Sequence, residues 1–288
     1  MNIIEIPAYG KINLALAVTG RRPDGYHELE TVFQRISLCD HLSVSKTEDG
    51  YFTLQTNLQG VPAEKNIIAR AYYTLKDKFP QVGGLSVTLK KNIPTQAGLG
   101  GGSADCAAFL MAVNKLYELG LTTQELMQLG AGLGADVPAC MLNGAAVGQG
   151  IGELLTPVAS QTSFWLTVVK PPVAFSTPAM FQKLDVPSFA QTQRFTAKET
   201  ATALEQGDLD RVCQNLYNVF EAVAETPVIQ EIKTALLAQG AKGSLMTGSG
   251  SCVFGIFEEE VWAQQAAQAL SSRWKTFVCH SQNEGCTL

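Results

Sequence analysis

Short runs of alternating apolar and polar residues open the chain. "KINLALAV" (11–18), "HLSVSK" (41–46) and "YFTLQT" (51–56) carry apolar side chains at period two or in short β-rich groups, the pattern of strands. The period then lengthens. In "NIIARAYYTLKDKF" (66–79) apolar positions recur every three or four residues behind Asn66, which predicts a capped helix. "GLSVTLKKNIP" (84–94) reads as a strand running directly into a glycine-rich loop. Beyond the loop, Cys106, Leu110, Val113 and Leu116 set out an amphipathic helix over 103–118. "TTQELMQLGAGLG" (122–134) predicts a shorter helix closed by glycine.

The register changes around 150–165, where turn residues precede a strand and a Pro-Pro break. From there the pattern predicts helices over 178–184, 198–206, 208–223 and 228–239. Strands over 243–247 and 251–257, a helix over 259–272 and a strand over 275–280 complete it. A β-rich first part with inserted helices, followed by alternating helices and strands, predicts an α+β protein of two domains, 1–155 and 156–288. No internal repeat or low-complexity tract interrupts it.

Composition narrows the function classes. With 288 residues, 46% hydrophobic and 16% charged, the chain describes a soluble globular protein with ample core material. A formal net charge of −5 argues against a general nucleic-acid or acidic-membrane binder, so an anionic ligand must be met by a few placed groups. Seven cysteines, an odd number with no C-x-x-C, read as reduced buried thiols and not as a metal site or redox pair. "MNIIEIPAYGKINLAL" lacks a charged leader before an uninterrupted apolar core, and no run is long enough to span a bilayer; a cytoplasmic protein is expected.

The loop "PTQAGLGGGSA" (94–104) holds Gly98, Gly100, Gly101 and Gly102 between a strand and a helix start. Loop amides and the unpaired N–H groups of the first helical turn would converge on one spot, an anion site. Ser103 can cap that helix, or face a phosphate or a metal ion. No G-x-x-x-x-G-K-[ST] string occurs. The dinucleotide fingerprint fails at its third place, where Ser103 stands, and Glu118 lies inside a helix and not at a strand end. Asp136, in the small-residue stretch "LGAGLGADVPACMLNG", reads either as a helix N-cap ahead of Pro138 or as a chemical group. Tyr26 and His27 sit in a turn with Asp24 and Gly25, a pair that packing alone would explain. "SLMTGSGSCVFGIF" (244–257) by itself is a tight glycine turn between two strands.

Taken together, these strings resemble the GHMP kinase superfamily. Its P-A-K-I-N-L motif corresponds to "PAYGKINL" (7–14), its glycine-loop motif to "PTQAGLGGGSA" and its third motif to "TGSGSCVF" (247–254). "DGYHELETVF" and "GADVP" resemble the signatures of the branch that phosphorylates the 2-hydroxyl of a cytidine-diphosphate-linked methylerythritol in the non-mevalonate isoprenoid pathway. Homoserine or mevalonate kinases would keep the glycine loop but have no use for Tyr26 and His27. Two departures stand out: Gln96 where the family often has glycine, and Tyr9-Gly10 before the lysine where Pro-Ala is usual.

The resemblance implies a two-domain α+β fold, a ribosomal protein S5 domain 2-like N-terminal domain and a ferredoxin-like C-terminal domain, with the site between them. It implies ATP and Mg²⁺, with Pro94, Thr95, Gln96, Ala97, Gly98, Leu99, Gly100, Gly101, Gly102, Ser103 and Ala104 around the phosphates. Lys11 and Asp136 would be catalytic. Asn13, on the same strand face as Lys11, would hydrogen-bond substrate. Tyr26, His27 and Phe181 would take the cytosine. The implied partner is this small molecule, with no obligate protein partner; the metal ligands stay open beyond Ser103.

Overall fold

Two long strands form the spine of the molecule, β1 (Ile3–Arg21) and β2 (His27–Thr47), paired antiparallel along their length. The period-two runs in the sequence are fragments of these strands. Register shifts between Tyr9 and Lys11, Asn13 and Ala15, and Val18 and Gly20 interrupt the alternation that a continuous strand would show. Residues 11–17 are buried on both faces, so polarity gives no cue there. The computed structural model describes residues 3–58, 62, 66–184 and 197–283.

On its other edge β2 meets two strands: β4 (Gly84–Lys90) along 41–47 and β5 (Ala145–Gln149) along 31–34. β3 (Phe52–Thr56) runs parallel to β4, and β6 (Leu154–Val158) pairs antiparallel with β5. One face of this sheet is covered by α1 (Ile67–Lys78), α2 (Gly101–Leu116), α3 (Thr123–Ala131) and α4 (Val137–Met141). Asn66 caps α1 as expected, its side chain accepting from the Ile68 amide at 3.0 Å. α2 departs from expectation. Residues 104–110 are all buried, because the helix lies between the sheet and its neighbours and has no wet face along that stretch.

The second sheet holds β7 (Trp165–Lys170), β9 (Gly243–Met246), β10 (Val253–Phe257) and β11 (Lys275–His280). Its order is β11-β7-β10-β9, antiparallel throughout, with α8 (Pro227–Ala238) ahead of β9 and α9 (Glu260–Leu270) ahead of β11. That β-α-β-β-α-β sequence is the ferredoxin-like arrangement. α5 (Thr177–Leu184), α6 (Ala197–Glu205) and α7 (Leu209–Gln214) lie between β7 and α8. The helix expected over 208–223 is a shorter one. After α7 the chain forms β8 (Tyr217–Asn218), which adds to the first sheet parallel to β1 at Ala15 and Leu16, and then a 3-10 turn over Val219–Val223.

The two units of this α+β fold share apolar contact. Ile12 and Leu14 of β1 pack in one cluster with Leu166, Phe254 and Ile256 of the second sheet. A division after residue 155 falls within β6, which belongs to the first sheet. Among the described residues no helix is long and apolar enough to cross a membrane.

Candidate active site

A cavity of about 800 Å³ opens where the two units meet. Lys11 and Asn13 of β1 line its floor, and loop residues Pro94 through Ser103 form one wall with the first turn of α2. Asp136, the 175–178 segment, Phe181 and the turn Gly248–Gly250 complete it. Ala104, the last residue expected there, is buried in the core.

The bulge at Gly10 explains why Lys11 faces this space. β1 leaves its ladder register between Tyr9 and Lys11, and the Lys11 amide donates to Leu99 O of the glycine loop at 3.0 Å. A Cβ at Gly10 would stand 3.2 Å from Leu99 O and 3.3 Å from Leu38 O, so any larger residue would press the backbones apart by a few tenths of an ångström. The Lys11 side chain is buried, and its Nζ donates to Asn13 Oδ1 at 2.9 Å and lies 3.3 Å from Asp136 Oδ2. Asn13 in turn donates to Thr31 Oγ1 at 2.8 Å, which fixes its amide orientation. Asp136 occupies the N-cap position of α4, with Pro138 in the first turn, yet its side chain makes no capping hydrogen bond. The cap reading of Asp136 holds for its place and fails for its chemistry.

The glycine loop wraps the start of α2. Gly100 is the helix N-cap, in a left-handed conformation at φ 68°, so Ser103 lies in the first turn and is not the cap. Gly101, Gly102 and Ser103 present their turn to the cavity, the anion-binding end of a sixteen-residue helix. Gln96, the departure noted in the sequence, holds φ 50°. A side chain therefore occupies a left-handed torsion that glycine would adopt at no cost, at roughly 1–2 kcal/mol.

Thr247, fully buried, joins the three motifs. Its hydroxyl accepts from the Asn13 amide at 3.0 Å and donates to Gly98 O at 3.3 Å. A Cβ at Gly98 would stand 2.0 Å from Thr247 O, so this glycine is required by the approach of the second unit. The glycine turn is thus more than a hairpin, since it latches the loop of residues 94–104 to β1. The sequence carried the motif but not this role.

A second cluster escaped sequence reasoning. Lys91, on the cavity wall, bridges two carboxylates: its Nζ donates to Asp40 Oδ2 and, at 2.6 Å, to Asp105 Oδ2. Asp40 Oδ1 also accepts from the Ile93 amide at 2.8 Å. One ammonium cannot neutralise two buried carboxylates. Burial pushes the Asp105 carboxyl up, to about 8, against the pull of Lys91, and its Oδ1 has no hydrogen-bond partner among the described residues. The available signal was an acidic residue in the first turns of an otherwise apolar helix.

His27 and Phe181 come together, their rings stacked at 4.9 Å and 24°, with Phe181 edge-on to Phe220 at 4.9 Å. Of the three residues expected at the base, only Phe181 lines the cavity; His27 stands behind its ring, and Tyr26 is 61% exposed, in a turn where its amide donates to Asp24 Oδ1. The cysteines nearest the site are held as neutral thiols. Burial pushes the Cys106, Cys140 and Cys252 thiols up to about 12; Cys286 lies outside the described residues.

A helix N-terminus presenting a glycine cradle, with a buried lysine paired to a carboxylate beside it, is the equipment of a phosphoryl-transfer enzyme. The chain belongs to the GHMP kinases: residues 66–144 match the family described as GHMP kinases N terminal domain, and 200–276 the one described as GHMP kinases C terminal. Its relatives are more particular. It is 40% identical over 269 residues to 4-diphosphocytidyl-2-C-methyl-D-erythritol kinase of Lachnoclostridium phytofermentans, covering 92% of each chain. To the enzyme of that name from Geotalea daltonii it is 42% identical over 283 residues, covering 96% of this chain and 98% of that one. A crystal structure of 4-(cytidine 5'-diphospho)-2C-methyl-D-erythritol kinase superposes with a TM-score of 0.83 at 33% identity, over 98% of this chain and 100% of the other. Homoserine kinase from Cytophaga hutchinsonii, at 19% identity and a TM-score of 0.79, shares the fold.

Proposed function

We propose that this kinase transfers the γ-phosphoryl group of ATP to the 2-hydroxyl of 4-diphosphocytidyl-2-C-methyl-D-erythritol, a step of non-mevalonate isoprenoid synthesis, acting on this small molecule in the cytoplasm. The observation that carries the reading is the Lys11–Asp136 pair at 3.3 Å, set in one cavity with the glycine loop and with Phe181, on whose ring His27 stacks. The relatives' names supply the substrate.

Amides of the loop and of the first turn of α2 hold the phosphates, which bulkier side chains there would keep away. Asp136 accepts a hydrogen bond from the attacking hydroxyl and takes its proton as the oxygen–phosphorus bond forms and the bond to the leaving ADP breaks. Lys11, held by Asn13, lays positive charge beside the hydroxyl oxygen and the transferring group. Mg²⁺, an ion commonly carried by substrate phosphates and water with few protein ligands, would accompany ATP. Ser103 is the hydroxyl that would hold it; when bound, the ion neutralises phosphate charge. Phe181 offers cytosine a ring face, His27 a hydrogen-bonding edge, and Tyr26 would cover the opposite face from the rim. The domains on either side of this site are best divided just past β6, which ends at Val158 and belongs to the first sheet.

A coupled ADP-release assay tests the reading, with the cytidine substrate against its uridine analogue, homoserine and mevalonate. Turnover should be confined to the cytidine compound, with uridine disfavoured on the order of 10³-fold. Equal turnover of the cytidine and uridine compounds would overturn the assignment of the base site.

A further inference from the structure

Arg35 lies outside the cavity wall but stands opposite Lys11 in the β1–β2 register. The two residues of this rung reach opposite ends of the same short helix. Lys11 meets Asp136 at the N-terminal position of α4, and Arg35 Nη1 donates to Leu142 O at 3.3 Å and to Asn143 Oδ1 at 2.7 Å, just past its C-terminus. The Arg35 amide adds a bond to Gly144 O at 2.9 Å. Its guanidinium sits 4.3 Å from the centroid of Tyr9, one of the two positions at which this chain departs from the family's usual Pro-Ala before the lysine. A five-residue helix cannot hold its own geometry and needs tertiary contacts at both ends.

We infer that Arg35, backed by Tyr9, is a positioning residue that sets Asp136 against Lys11 by anchoring the far end of α4. The inference rests on the catalytic reading of Asp136 given above. A guanidinium suits the task, since one of its nitrogens, Nη1, bonds a backbone carbonyl and a side-chain oxygen while its plane stacks on an aromatic face. Lysine at that position would keep the charge and lose the planar stacking on Tyr9. With the base displaced by a fraction of an ångström, the transfer step slows while ATP and the cytidine substrate, held elsewhere in the cavity, bind as before.

The test uses the intact enzyme. Arg35→Met should lower kcat about 10- to 100-fold, with the KM values for both substrates within twofold and the folded fraction checked by circular dichroism. Arg35→Lys should recover only part of the loss. Adding Arg35→Met to Asp136→Asn should lower kcat no further, because the arginine acts only through that carboxylate. Should Arg35→Met fail to fold, Asn143→Ala removes the 2.7 Å bond alone and should show a smaller kcat loss with the same non-additivity. A folded Arg35→Met enzyme with unchanged kcat, or losses that multiply with Asp136→Asn, overturns the inference. Full activity of Asp136→Asn by itself would remove the catalytic reading first, and the inference with it; that outcome is seen before any arginine variant is made.

Discussion

Asp136 stands where a helix cap belongs, but its side chain makes no bond to the α4 amides and meets Lys11 Nζ at 3.3 Å instead. This separates its structural and chemical roles. Losing a working cap costs about 1 kcal/mol, and Asp136→Asn should not incur that cost. Thermal melting should be close to wild type, while kcat falls roughly 10²- to 10⁴-fold with little change in ATP affinity. Half of wild-type turnover in this variant would sink the role given to the carboxylate.

Thr247 tests the latch. Thr247→Val keeps the shape, but leaves the Asn13 amide without its acceptor and Gly98 O without its donor. An unpaired buried amide costs about 1–3 kcal/mol, so the melting temperature should drop. The KM for ATP should also rise several-fold as the loop loosens. Thr247→Ser should restore both. If valine leaves ATP binding unchanged by calorimetry, the loop is held by other contacts.

Gln96 carries strain that glycine would not. At φ 50° its replacement by glycine removes a left-handed penalty but loosens the unfolded chain by about 0.4–1 kcal/mol, two effects that nearly cancel. Gln96→Gly should melt at or slightly above the wild-type temperature. Gln96→Val, β-branched at the same torsion, should lose more than about 1 kcal/mol. Equal melting of the glycine and valine variants would contradict the left-handed torsion.

The Asp40–Lys91–Asp105 cluster predicts a pH dependence of stability. The Asp105 carboxyl is raised from 3.8 to about 8 by burial, so the folded state holds a proton that the unfolded chain has released. That contribution is complete below pH ~4 and is lost as pH rises through about 8. Asp105→Asn removes the titration and leaves Lys91 paired with Asp40. Its melting temperature should exceed wild type at pH 8.5, with the gap closing toward pH 5. A constant gap across that range would rule out a titrating Asp105.

What the sequence made legible was local. Asn66 at α1, the helix of 259–272 seen as α9 and the strand–loop–helix of 84–116 each follow from periodicity and cap chemistry over a few turns. β1 and β2, at 19 and 21 residues, were read only in pieces, because bulges shift the alternation and two-sided burial erases it. The segment after Gln214 carried helical spacing, but pairing with β1 drew it into β8, a tertiary contact overriding local preference. In the site, the glycine loop, Lys11 and Asp136 were marked by motif, yet the contact between them depends on the fold. Thr247 reaches Asn13 across 234 positions, and Asp40 reaches Lys91 across 51, separations at which no local pattern exists.

β8 has a consequence for synthesis. The first sheet takes a strand from residues 217 and 218, and the glycine loop takes its latch from residue 247. A ribosome that has released only the first sheet's earlier strands has therefore delivered Lys11, the loop and Asp136 without the partners that hold them in register. Contacts this distant in sequence are made late, since loop closure must precede their reward. Nucleotide binding is therefore expected to need residues 217–247, and capture on immobilised ATP should retain chains that include them and release shorter ones.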